Sequence, residues 1–185
     1  ILIVEDSVKF YSSYLPLLYA ELWRQNRTIQ SETMHAREHI LRLHSRPKVL
    51  FCTNFEEAMD VFDRYQNNIF GVITDLAFPK QGVHTGNAGL RFAAHVKEIQ
   101  PELPVLMQSQ SREDSKEADA ARSLGLKFVC KQSPVLLQSL REFLVDDLMF
   151  GPLKFRDGDG APLGGASTAQ GFVTMAGTSV LLPAG

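Results

Sequence analysis

Five short apolar segments, separated by longer amphipathic stretches, constrain the fold of this chain more than any other feature. They are ILIV (1–4), KVLFC (48–52), IFGVIT (69–74), PVLM (104–107) and KFVC (127–130). These segments lack the regular polar alternation of a half-exposed strand, which is typical of strands that are covered on both faces. Strands that alternate with helices in this way predict an α/β fold with a doubly wound parallel sheet.

The helices between these segments have recognisable ends. Asn54 followed by Glu57 forms a capping-box pattern, which predicts a helix start after the second strand. Ser133 followed by Pro134 predicts an N-cap with proline in the first helical position, after the fifth strand. Gly125 predicts the end of the helix that precedes the fifth strand.

Composition excludes several classes of function. The chain has 185 residues, which suits one well-buried domain with an appendage. Its 19 basic and 21 acidic residues are well mixed, so we expect no nucleic-acid partner. No stretch approaches the roughly 20 apolar residues of a membrane span. Cys52 and Cys130 lie in apolar stretches and are predicted to be free thiols, which favours a cytoplasmic location.

Polar residues stand where the predicted strands end. Glu5 and Asp6 follow the first strand, Asp75 ends the third, the fourth runs into Ser109 and the fifth ends at Lys131. In open α/β sheets, ligands bind outside the carboxyl ends of the strands. A carboxylate in that place can act as a nucleophile that forms an aspartyl phosphate, and carboxylates are preferred ligands of Mg²⁺. The sequence therefore predicts a site at this edge.

Four segments resemble, in order, the signature segments of two-component response-regulator receiver domains. They are LIVEDS, ITDLAFP, PVLMQSQS and FVCK, and the resemblance covers residues 1–148. It implies a flavodoxin-like five-stranded sheet with strand order 2-1-3-4-5. It also implies that a phosphoryl group passes from a sensor histidine kinase or phosphotransfer protein to Asp75. This transfer would switch the surface of the fourth helix, fifth strand and fifth helix, so the chain is expected to signal and not to act as an enzyme.

The same resemblance implies a role for each of the other site residues. The implied ligands of Mg²⁺ are Glu5, Asp6, Asp75 and the backbone carbonyl of Ala77. Lys131 is expected to pair with a phosphoryl oxygen as a compact positive charge. Ser109 is the expected switch hydroxyl, and Phe128 is the aromatic residue expected to move with it.

One long insertion departs from the receiver pattern. Asp6 and Asp75 are 69 positions apart (75 − 6), whereas the intervening elements at average lengths need about 45. The extra residues fall at 24–47 and have a helical composition. They predict an extended or broken first helix, with a kink at Pro16, that either pairs with a second copy or a partner or folds back as a solvated helix. His35 and His39 in this insertion are an alternative metal-binding pair.

The tail at 149–185 has a different composition from the rest of the chain. It contains eight of the 13 glycines and no charged residue after Asp159, which predicts a linker. The segments FVTM and SVLL, on either side of 176–178, are compatible with a β-hairpin. The extended first helix and the segments RPKVLF, RYQNNIFGVITD and LREFLVDDLMFG also resemble receiver modules fused ahead of phosphoenolpyruvate-synthase-like proteins. That resemblance implies an output domain or fused enzyme beyond the tail.

Two alternatives from other classes remain open. A phosphatase or phosphotransferase of the haloacid-dehalogenase type also forms an aspartyl phosphate, but it uses a second aspartate two residues after the nucleophile. Ala77 occupies that position here. The other alternative is a receiver that binds partners through its surface without being phosphorylated.

Overall fold

The strands form one parallel sheet and two antiparallel hairpins. The computed structural model describes residues 1–30, 47–148, 153–156 and 162–166. The strands are β1 (Leu2–Val4), β2 (Leu50–Cys52), β3 (Val72–Asp75), β4 (Phe78–Lys80), β5 (Val83–Thr85), β6 (Val105–Ser109), β7 (Lys127–Cys130), β8 (Leu153–Arg156) and β9 (Pro162–Ala166). The parallel sheet has the order β2-β1-β3-β6-β7, and β4-β5 and β8-β9 are the hairpins. The predicted flavodoxin-like order is therefore confirmed, because the β4-β5 hairpin lies outside the sheet.

In the described part of the chain, five helices alternate with the strands of the sheet. They are α1 (Val8–Gln30), α2 (Phe55–Tyr65), α3 (Ala88–Ile99), α4 (Lys116–Ser123) and α5 (Leu136–Glu142). A 3₁₀ turn (Gln66–Asn68) follows α2, and a π-helical turn (Phe143–Asp147) follows α5. Within the described residues, no helix has both the length and the apolar composition needed to cross a membrane.

The two faces of the sheet build two separate apolar cores. Val4 faces the core that contains Phe62 of α2 and Phe92 of α3, whose rings meet edge to face at a centroid distance of 6.1 Å. The neighbouring Ile3 faces the opposite core, with Leu18 of α1 among its members. Because side chains alternate along a strand, a strand covered by helices on both faces must be apolar throughout. This is the physical basis of the apolar runs in the sequence.

Helix α1 is extended, as predicted: it has 23 residues and continues through Pro16 to Gln30. Glu21 on this helix is 7% exposed and forms ion pairs with Arg24 at 2.8 Å and with Arg141 at 2.9 Å. The second of these ion pairs ties α1 to α5. Residues 31–46, which include His35 and His39, and the tail segments around 176–178 lie outside the described residues.

Two of the three predicted helix signals are confirmed. The Asn54 side chain accepts a hydrogen bond from the backbone N–H of Glu57 at 2.9 Å, and α2 begins at the next residue after the cap. Gly125 follows α4 with φ +71°, a backbone conformation that glycine adopts without strain. Its N–H donates to the carbonyl of Arg122 at 2.9 Å, which closes the helix end.

The helix start predicted at Ser133 and Pro134 is wrong. Helix α5 begins at Leu136, and its N-cap residue is Val135. The Ser133 carbonyl instead accepts a hydrogen bond from the backbone N–H of Leu136 at 3.1 Å, so these four residues form a turn with proline in its second position. Proline suits that turn position as well as the first position of a helix, because both need φ near −65°.

Candidate functional site

Three carboxylates meet at the carboxyl edge of the parallel sheet. Glu5 and Asp6 follow β1, and Asp75 is the last residue of β3. These strands are neighbours, with Val4 opposite Thr74. One carboxylate oxygen from each of the three side chains lies within 4.8 Å of the others. The parallel arrangement therefore brings together two acidic segments that are far apart in the sequence.

Lys131 joins two of these carboxylates. Its Nζ lies 2.6 Å from Glu5 Oε2 and 2.6 Å from Asp75 Oδ2, and its side chain is 1% exposed. The lysine follows β7, and its backbone N–H donates to the carbonyl of Ser109 at 2.6 Å. Its ammonium also lies 4.4 Å from the ring centroid of Phe10. A buried ammonium with two carboxylate partners holds Asp75 in one orientation.

Backbone donors fix the remaining oxygens of the two paired carboxylates. The N–H of Leu76 donates to Asp75 Oδ1 at 2.7 Å, and the N–H of Ser7 donates to Glu5 Oε1 at 3.1 Å. Ser109 ends β6 on the other side of Asp75, and its Oγ accepts a hydrogen bond from the N–H of Ser111 at 2.9 Å. The Ser109 hydroxyl is therefore held within the loop that follows β6.

The cluster opens into a cavity of about 440 Å³. Its walls include Asp6, Asp75, Ala77, Ser109 and Lys131, so five of the residues singled out in the sequence share one space. Glu5 is 1% exposed and is not part of the cavity wall; it contacts Lys131 at 2.6 Å. Phe128 does not line this cavity; it is half-buried and packs against the core on the α2 and α3 face.

The site carries more negative than positive charge. Three carboxylates face one ammonium, and burial raises the pKa of Glu5 from 4.5 to about 7, with the charge of Asp75 as the second cause. Burial also raises the pKa of Asp75, although Lys131 opposes that shift. The folded chain therefore holds protons on these carboxyl groups more strongly than the unfolded chain does.

This difference predicts a pH dependence of stability. The protonated form of Glu5 is favoured in the folded state, so its stabilising effect is complete below pH 4.5 and is lost as the pH rises through about 7. The shift corresponds to about 3 kcal/mol. We measure the free energy of unfolding by urea denaturation at several pH values from 4.5 to 8. As the pH rises, this free energy should fall less steeply in Glu5→Gln than in the original chain. Glu98→Gln, at an exposed position, should leave the slope unchanged; equal slopes for all three proteins would contradict the assignment.

The residues present fit a divalent cation. Mg²⁺ prefers oxygen ligands and is commonly held by one or two carboxylates with the remaining positions left to water or substrate. The three clustered carboxylates supply such oxygens, and their excess negative charge over Lys131 would be offset by a divalent ion. The described residues thus include an acidic group suited to a metal of this kind.

Sequence reasoning missed two features of the site. One is the β4-β5 hairpin, which follows Asp75 and brings His84 Nε2 to 3.9 Å from Asp6 Oδ2. The other is a buried polar pair on the α1 face of the sheet, Tyr14 and Gln108, which are 0% and 1% exposed. The Tyr14 hydroxyl and the Gln108 amide atoms have no partner at hydrogen-bonding geometry. Burial raises the pKa of Tyr14, and the nearby Gln108 amide opposes that rise only in part. A polar residue inside an apolar strand was the only signal for Gln108.

Comparison with known proteins identifies similar folds. No protein-family profile and no curated protein matches this chain. Among solved structures, it is similar to a LuxR-family two-component response regulator from Aurantimonas sp. SI85-9A1, with 15% identity, a TM-score of 0.49, and coverage of 97% of this chain and 96% of that one.

Two further structural neighbours have similar values. The response regulator DrrB, an OmpR/PhoB homolog from Thermotoga maritima, has 16% identity and a TM-score of 0.46, with coverage of 85% of this chain and 56% of that one. The Salmonella typhimurium response regulator RcsB has 14% identity and a TM-score of 0.44, with coverage of 98% and 70%. These neighbours are response regulators, but at such low identities their function does not transfer to this chain.

Proposed function

We propose that this chain is a phosphoaccepting receiver domain of a two-component phosphorelay. The observation that carries the proposal is the Asp75 carboxylate, held 2.6 Å from a buried Lys131 and clustered with Glu5 and Asp6 at the edge of a doubly wound sheet. A carboxylate that attacks a charged phosphoryl group needs positive charge beside it. Lys131 supplies one positive charge beside Asp75, and the carboxylate oxygens could bind a metal cation that supplies a second.

The proposed reaction is phosphoryl transfer to Asp75. An oxygen of Asp75 forms a bond to phosphorus while the bond from phosphorus to the donor's imidazole nitrogen breaks, and the imidazole leaves with that electron pair. Mg²⁺, held by Glu5, Asp6, Asp75 and the Ala77 carbonyl, would supply positive charge for the phosphoryl oxygens. Lys131, already paired with Asp75, pairs with the transferred group as well.

The signal would leave the site through Ser109 and Phe128. In the structure the Ser109 Oγ accepts a hydrogen bond from the Ser111 N–H, and a move toward the phosphoryl group would exchange this contact for a new one. Phe128 lies on the neighbouring strand and is half-buried, so one side of its ring packs against the core while part of it reaches solvent. We propose that this exchange shifts a two-state equilibrium at the surface of α4, β7 and α5.

The domain organisation and partners are part of the same proposal. Residues 1–148 would form the receiver, and 149–185 would link it to an output domain or a fused enzyme such as a phosphoenolpyruvate-synthase-like protein. A sensor histidine kinase or phosphotransfer protein would supply the phosphoryl group. We propose that the extended α1 (Val8–Gln30) pairs with a second copy of the chain or with a partner.

Intact-mass measurement after incubation with acetyl phosphate and Mg²⁺ tests the proposal. We expect the native protein to gain one phosphoryl group and Asp75→Asn, which keeps the shape of the side chain, to gain none. Asp114→Asn is the matched control, since Asp114 is exposed and forms an ion pair with Arg112 at 3.1 Å, and it should gain one phosphoryl group as the native protein does. Uptake that persists in Asp75→Asn would overturn the assignment of the phosphoacceptor.

Mass measurement together with a second assay, of phosphate release, separates the alternatives. A haloacid-dehalogenase-like phosphatase would release phosphate continuously from p-nitrophenyl phosphate, but the cavity presents Ala77 where such an enzyme needs a carboxylic acid. Continuous release that depends on Asp75 would favour the phosphatase. A module that works without phosphorylation would show no mass gain from either acetyl phosphate or a kinase.

A further inference from the structure

The β4-β5 hairpin is fixed in position beside the acidic cluster. Phe78 is 0% exposed in the core, and the Lys80 ammonium lies 4.3 Å from the ring centroid of Phe55 on α2. The backbone N–H of Gln81 donates to Glu56 Oε1 at 3.1 Å. The two-residue turn has φ of +51° at Gln81 and +74° at Gly82, values suited to a tight hairpin. Contacts with α2 and the core therefore hold β4 and the turn, and β5 is held through its antiparallel pairing with β4.

The hairpin places one imidazole at the mouth of the cavity. His84 lies on β5, opposite Pro79, and its side chain lines the same cavity as Asp6 and Asp75. Its Nε2 lies 3.9 Å from Asp6 Oδ2, which is too long for a hydrogen bond. With metal–ligand distances of about 2.1 Å, two ligands of one octahedral ion are about 3 Å apart when adjacent and about 4.2 Å when opposite. The observed separation falls between these values.

We propose that His84 is a nitrogen ligand of the divalent ion held by Asp6 and Asp75, and that it makes the site prefer transition metals to Mg²⁺. This inference rests on the proposed function for the carboxylate part of the site. Imidazole adds affinity for ions such as Co²⁺, Ni²⁺ and Zn²⁺, whereas Mg²⁺ keeps to oxygen ligands. A fixed hairpin reduces the conformational entropy that is lost when His84 binds the ion.

Calorimetric titration of the untagged chain with Co²⁺ and with Mg²⁺, at pH 8, tests the inference. We expect His84→Ala to weaken Co²⁺ binding about tenfold or more and to change Mg²⁺ binding less than about twofold. The visible absorption of bound Co²⁺ should also change when the nitrogen ligand is lost. His95→Ala is the matched control, because His95 on α3 pairs with Asp63 at 2.8 Å and should leave both affinities unchanged.

The outcomes separate this inference from the proposed function. Equal Co²⁺ affinity and spectra for the original chain and His84→Ala would overturn the inference, while Asp75 could still accept a phosphoryl group with Mg²⁺. Co²⁺ binding that depends on both His84 and Asp75, in a chain that never gains a phosphoryl group, would support the inference and reject the receiver function. Failure of the original chain to bind either ion would overturn the inference directly.

Discussion

Lys131→Met is expected to lower the free energy of unfolding by about 3–5 kcal/mol at pH 8, because it leaves buried carboxylates without their positive partner. The Lys131 side chain is 1% exposed and lies 2.6 Å from both Glu5 and Asp75, so both carboxylates lose their ion pair at once. At pH 5 the loss should be smaller, since burial already raises the pKa of both groups and protons can replace the lost ammonium. Urea denaturation at the two pH values measures both effects.

Lys127→Met is the matched control for this substitution. Lys127 is the first residue of β7, the strand that Lys131 follows, and it pairs with Asp147, but its side chain is 55% exposed. Exposed ion pairs contribute about 1 kcal/mol or less, so the control should lose little stability at either pH. A loss in Lys131→Met no greater than in the control would show that water, and not the lysine, compensates the charge of Glu5 and Asp75.

Gly89→Ala is expected to destabilise the fold by about 3 kcal/mol or more. The added methyl group would overlap backbone atoms, which cannot move aside as a flexible side chain can. Gly89 is the second residue of α3, and its N–H donates to the carbonyl of Leu76 at 2.8 Å. An added Cβ would lie 2.0 Å from the carbonyl oxygen of Asp75 and 2.9 Å from the Cα of Leu76. Relief of this contact requires α3 or the end of β3 to shift, so acceptance of a phosphoryl group by Asp75 should fall as well.

Gly86→Ala separates steric overlap from the general effect of replacing glycine. A Cβ at Gly86 meets no atom within 4 Å, and its φ lies outside the left-handed region. We expect this variant to stay within about 0.5 kcal/mol of the original chain in urea denaturation. If Gly89→Ala were as stable as Gly86→Ala and accepted a phosphoryl group equally well, the close approach of α3 to Asp75 would not constrain the site.

Local patterns were sufficient to predict the sheet and two helix ends. A strand covered on both faces must be apolar along its whole length, and a helix start needs a side chain that accepts from its first N–H groups. Both requirements are met by neighbouring residues, as in Leu2–Val4 and in Asn54 with Glu57. The predicted start of α5 was wrong because serine followed by proline suits a turn and a helix N-terminus equally well.

The candidate site could be predicted only in part. Parallel strands end at one edge, so the sequence indicated that Asp6, Asp75 and Lys131 would lie near one another, while their roles stay predictions. It did not indicate the β4-β5 hairpin, because Pro79 within a short segment argues against a strand. That hairpin is stabilised by the burial of Phe78 and by contacts with α2. The residues of α2 that make these contacts are far from the hairpin in the sequence, so local patterns do not reveal them.

By itself, the sequence determined which segments become buried strands and which polar residues stand at their carboxyl ends, because burial and strand direction follow from neighbouring residues. Only the tertiary structure decided that one ammonium lies between Glu5 and Asp75, that the pKa of Glu5 rises to about 7, and that His84 lies beside Asp6. Electrostatic energies depend on the distance between atoms and on their separation from water. Residues far apart in the chain acquire those distances only when the sheet and the hairpin have formed.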